Sequence, residues 1–192
     1  MKRFSILFRV VLLSAVFLVV LVGSDLYLGR QISDDRVIML EQAELLATVT
    51  TAQAASTAFG ELKYWLTDLA VSLLMQSERK AEEARTALTK ALDQLTPQDP
   101  KTTAEIRSHI GTLMEQAFLA VDAYSNNERV LGNSLMAESR VHFRHGEKGI
   151  SRLVRRLENE ALKKRAAALK KLESTKNLSI SVMILVSLLG LP

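Results

Sequence analysis

No proline occurs between Met1 and Thr96. Proline is the residue that most firmly stops a helix, so its absence leaves the first half of the chain free to run in long helices. The apolar spacing agrees. Leu62, Leu66, Leu69 and Leu73 follow a 4-3-4 rhythm, Leu88, Leu92 and Leu95 repeat its first two steps, and Ile150, Leu153, Leu157 and Leu162 carry a looser stripe. Each stripe needs a partner helix to bury it. Three prolines and eight glycines in 192 residues, with few aromatics, fit the same all-α reading. The chain has no cysteine, which removes disulfides, thiol chemistry and cysteine-ligated metal.

The two ends read as membrane-facing. "MKRFSILFRVVLLSAVFLVVLVGSDLYLG" sets Lys2 and Arg3 before an apolar run interrupted by Arg9 and ending near Asp25. This predicts an uncleaved transmembrane helix over 1–29 with a cytoplasmic tip, since long basic side chains near one interface can snorkel. "NLSISVMILVSLLGLP" supplies about 14 apolar or small residues, too few to cross a bilayer, and is read as the start of a second span over 178–192, cut short. The expectation is an extracytoplasmic helical domain over 30–177, in the periplasm of a bacterium and anchored in its inner membrane. Lys163, Lys164, Arg165, Lys170, Lys171 and Lys176 argue for the opposite orientation, but the N-terminal signal normally acts first.

Between the ends, "LTPQDPKTT" is the firmest break: Pro97, Asp99 and Pro100 form a turn, and Thr102 or Thr103 with Glu105 can cap the next helix. Further breaks are read near Gly60 and at Gly146 to Gly149, and a kink near "YSNNERVLGNS". Helices of about 29, 36, 44 and 29 residues then close a path that returns to one membrane face, giving an up-and-down four-helix bundle between two transmembrane segments. The alternative is a long two-helix antiparallel hairpin, broken only at Pro97 to Pro100, that dimerises to bury its seams. Both reflect the chain near residue 98, which sets Asp68 opposite Arg129 and predicts an ion pair between them.

This arrangement of an uncleaved first span, helical segments and a second apolar stretch ending in Pro192 resembles the periplasmic sensor region of bacterial methyl-accepting chemotaxis proteins and related transmembrane receptors. "FGELKYWLTDLAVSLL" is similar to a motif in such regions. The resemblance implies a homodimer that binds a small molecule or a ligand-loaded periplasmic protein and passes a helix displacement to a cytoplasmic signalling domain. The arginines that grip amino acids in the aspartate and serine receptors have no counterpart here, so no amino-acid ligand carries over. Alternatives of different kind are the input region of a membrane nucleotide cyclase or histidine kinase, and a membrane-anchored structural coiled coil without small ligand.

Candidate ligand-binding residues are Tyr64, Trp65, Asp68, Arg129, His142 and His145. Tyr64 and Trp65 are an aromatic pair with polar handles, equally at home in a helix seam. Asp68 lies on an apolar face and needs a partner. His142 and His145, three positions apart, share a helix face; a zinc site would need Glu138 or His109 to converge on them, so neither metal nor cofactor is expected. No phosphate loop, nucleophile elbow or zinc-protease motif is present, and no enzyme is expected. Eleven Lys/Arg against four Glu between Arg144 and Lys176 make the last helix basic, where Arg30 to Phe143 holds 11 against 16 acids. Without aromatic platforms that tract reads as a solvated face near anionic membrane lipid rather than a nucleic-acid site.

Overall fold

The computed structural model describes residues 6–189, all but the connections in four helices: α1 (Ile6–Ser72), α2 (Met75–Leu95), α3 (Pro100–Ser125) and α4 (Arg129–Leu189). Lys2, Arg3 and Pro192 lie outside the described residues. The chain divides into two compact units, one of residues 1–43 and 162–192, the other of Glu44–Ala161. In the first, no described residue is buried, and Val19, Leu26, Ile32 and Met39 are widely exposed.

The expected bundle between two transmembrane segments is corrected by the structure. Among the described residues no helix is long and apolar enough to cross a membrane. The reason at the N-terminal end is length: the stretch between Arg9 and Asp25 rises about 22 Å as helix, against about 30 Å of hydrocarbon. At the other end the apolar residues are fewer still. The inner-membrane and periplasmic placement rested on those spans, as did the readings as chemoreceptor input, as input to a membrane cyclase or kinase, and as membrane-anchored coiled coil. All of these fall with them. The long two-helix hairpin falls too, because the chain breaks three times.

In the second unit, residues 44–72 of α1, α2, α3 and residues 129–161 of α4 share one core. Phe59, Leu62 and Leu66 of α1 meet Leu88, Leu92 and Leu95 of α2, Ile106, Ile110 and Leu113 of α3, and Phe143, Ile150, Leu153 and Leu157 of α4. Alanines at 52, 55, 58, 81, 84, 91 and 117 fill the closer approaches. The leucine stripes read from the sequence are thus core faces, except that Leu73 and Leu162 are exposed.

The breaks fall where local chemistry allows them. Between α1 and α2, Leu73 takes a left-handed backbone with φ 55°. Between α2 and α3, Asp99 caps α3 by accepting from the Thr102 N–H at 3.0 Å, and Pro100 opens the helix where no N–H is required. Arg156 of α4 ties that turn down, 2.8 Å from Asp99 Oδ2 and donating to the Gln98 carbonyl at 3.3 Å. Between α3 and α4, Asn127 has φ 62° and Tyr124 Oη donates to Asn133 Oδ1 at 2.9 Å.

Neither glycine-based break is found. Gly60 sits inside α1 with open space around it, and Gly146 and Gly149 sit inside α4. A Cβ at Gly146 would lie 2.7 Å from the Phe59 ring, and one at Gly149 would lie 2.8 Å from Ile106 Cγ1. These two glycines let α4 approach α1 and α3 closely; they do not stop the helix.

Candidate functional site

Tyr64 and Trp65 pair edge to face with ring centroids 4.9 Å apart. Tyr64 is exposed, while Trp65 is half-buried and packs on the core. Asp68, one turn on, does not meet Arg129: Arg129 is exposed, and no ion pair joins the two among the described residues. Its Oδ2 accepts instead from the hydroxyls of Ser77, which is buried, and Ser72. Ser72 Oγ in turn accepts from the Leu74 N–H at 3.3 Å. Asp68 therefore pins the α1–α2 connection around the left-handed Leu73. The chain breaks at Leu73–Leu74 and not at Gly60, which brings the start of α2 back onto Asp68 in place of Arg129.

His142 and His145 do converge with His109 from α3. His109 Nδ1 lies 3.3 Å from His142 Nδ1, and its ring stacks on His145 with centroids 5.0 Å apart. Burial, then the neighbouring His145 and His142, push His109 below its ordinary value, against an opposing pull from Glu105. His109 thus favours the neutral imidazole. Among the described residues no three His, Cys, Asp or Glu side chains are placed to hold a metal ion together. Two of the histidines, His109 and His145, edge a groove of about 540 Å³ between α3 and α4, whose other lining residues include Glu105, Lys148, Arg152 and Arg155.

A second groove, of about 630 Å³, runs between α1 and α4 over α3. Leu66, Leu113, Ala117, Met136 and Phe143 give it apolar surface, and Lys63, Arg140, Arg144 and Glu147 bring charge to it. The Lys63 ammonium stands 4.1 Å from the centroid of the Phe143 ring, which stacks on Phe59 at 4.8 Å. None of Lys63, Arg140 and Arg144 is in an ion pair among the described residues. Sequence reasoning passed over Lys63, Arg140 and Arg144. The available signal was the spacing of Arg140, Phe143, Arg144 and Glu147, which places them along one strip of a helix.

Compared with known proteins, the chain matches no family model, no curated protein and no solved structure.

Proposed function

We propose that residues 44–161 form a non-catalytic binding module that receives a small amphipathic anion in the α1–α4 groove. The observation that carries this is the pairing of an apolar floor at Leu66, Leu113, Ala117 and Phe143 with three cations that have no carboxylate in ion-pair contact. A carboxylate or phosphate attached to an apolar body matches that pattern: the body displaces water from the floor, and the anion accepts charge-assisted hydrogen bonds from the rim. The non-catalytic part is supported by the buried hydroxyls. Ser77 is committed to Asp68 within the α1–α2 connection and Ser139 to the Met136 carbonyl, and neither hydroxyl is hydrogen-bonded to a histidine or lysine.

The test is a thermal-shift screen of the full chain with aliphatic carboxylates, aromatic carboxylates and organic phosphates, followed by calorimetry. At least one class raises Tm, and Arg140→Gln or Arg144→Gln weakens its binding by about tenfold, the loss of one charge-assisted contact. Absence of any shift, or affinity unchanged in both variants, overturns the reading.

A second reading is self-association, favoured by the apolar end of the same unit. Val71 is 83% exposed, Met75 84% and Val130 86%, all beside the α1–α2 and α3–α4 connections. Light scattering on the full chain should then give a dimer that Val71→Asp with Met75→Asp turns into a monomer. A monomer at all concentrations removes it.

A further inference from the structure

We propose that His109 and His142 form a two-imidazole clamp for a divalent transition-metal ion of the zinc, nickel or copper class, bridging the seam between α3 and α4. The geometry is the warrant. Their Nδ1 atoms stand 3.3 Å apart, and two imidazole nitrogens each about 2.0–2.1 Å from a tetrahedral zinc stand about 3.3 Å from one another. The lone pair and N–H that face each other in the metal-free pair are the positions a metal would take, the displaced Nδ1 proton being replaced by one on Nε2 of the same ring so that both histidines ligate as neutral imidazoles.

The clamp is held on rigid elements. His109 is carried between the buried Ile106 and Ile110, while His142 precedes the buried Phe143. The close approach of Gly149 to Ile106 fixes α4 against α3 one to two turns away. Preorganisation of this kind keeps two ligands from having to be gathered. Solvent completes the coordination sphere, reaching it through the groove lined by His109 and His145. With two protein ligands the site is weaker than a four-ligand structural zinc, and a metal held there joins two helices, so it binds the folded state only and stabilises it. It is separate from the α1–α4 groove and does not depend on an anion binding there.

Zinc, nickel or magnesium chloride is titrated into the full chain while Tm is followed. Zinc and nickel should raise Tm by several degrees once the free ion is about a hundredfold above Kd, and magnesium should not. His109→Gln and His142→Gln should each abolish the rise, and His145→Gln should keep it. A reading that needs no variant is the electron paramagnetic resonance of one equivalent of copper(II) on the unaltered chain, which should show coupling to two imidazole nitrogens. No rise with either metal, a rise retained in His109→Gln or His142→Gln, a rise lost in His145→Gln, or copper coupled to fewer than two nitrogens overturns the clamp.

Discussion

Ser77, at the start of α2, donates its buried hydroxyl to the carboxyl of Asp68 in α1. This contact closes a link across the α1–α2 connection, where Leu73 holds a left-handed backbone that costs a branched residue about 1–2 kcal/mol. Such a conformation persists when its surroundings hold it, and Asp68, Ser72 and Ser77 are those surroundings here.

Asp68→Ala should therefore destabilise the bundle by about 1–3 kcal/mol, because Ser77 loses its acceptor. Combining it with Ser77→Ala should cost less than the sum of the two, whereas Arg129→Ala should stay within about 0.5 kcal/mol of the parent. Urea unfolding followed by Trp65, the only tryptophan, measures all three. Equal costs for Asp68→Ala and Arg129→Ala would restore the ion pair that the sequence suggested.

Leu73→Gly should stabilise by about 1 kcal/mol, since glycine takes the left-handed conformation without a Cβ penalty. The side chain it removes is 44% exposed, so little burial is lost with it. A lower urea midpoint for the glycine variant would show that Leu73 contributes more through contact than it costs through strain.

The helical glycines should answer alanine with opposite signs. Gly60→Ala meets nothing within 4 Å and gains helix propensity of about 1 kcal/mol. Gly149→Ala drives a Cβ to 2.8 Å from Ile106 Cγ1, whose side chain is fully buried and has no room to yield. Overpacking of that kind costs about 1–3 kcal/mol, which outweighs the propensity gain and leaves Gly149→Ala net destabilised. The same sign for both variants in thermal unfolding would refute the close-approach role.

Acid should unfold the bundle partly through Asp99. Its burial pushes the carboxyl up, but hydrogen bonds from Thr102 and the charges of Arg156 and Lys101 outweigh that and hold it below its ordinary value of 3.8. A depressed folded value means that stability from this group is present above the unfolded value and is lost as pH falls through the folded one. Asp99→Asn keeps a cap oxygen and should flatten the loss of stability below about pH 4, while costing under about 1 kcal/mol at neutral pH. Urea midpoints of parent and variant across the acid range give the comparison, and parallel pH profiles would exclude Asp99 from the acid transition.

The stacked pair Phe59 and Phe143 should be the most sensitive part of the core. Phe59→Ala should cost about 3–5 kcal/mol and relieve the crowding at Gly146, so Gly146→Ala should be better tolerated in that background than alone. Strict additivity of the two changes in denaturant unfolding would show that the ring does not set the α1–α4 distance.

The helical character of the chain and most of its core faces were legible in the sequence, because apolar residues at 3.6-residue spacing can be buried only one way along a helix. Leu62, Leu66 and Leu69, or Ile150, Leu153 and Leu157, needed no partner to be recognised. The turn at Pro97 to Pro100 was equally legible, since proline removes a backbone donor wherever it stands. The candidate site was read only in part. His142 and His145 were marked by spacing, but their meeting with His109, 33 positions upstream, depends on how α3 lies along α4.

What the sequence by itself determined, then, is what acts within a few residues: helix periodicity, the proline turn, the absence of thiols and the basic tail. The tertiary structure decided whatever depends on the distance between helices. A glycine reads as a break until a facing ring shows that it is a contact, as at Gly146. Asp68 reads as the partner of Arg129 until the chain turns and brings Ser77 to it, and Lys63, Arg140 and Arg144 draw no notice until an apolar floor is placed beneath them.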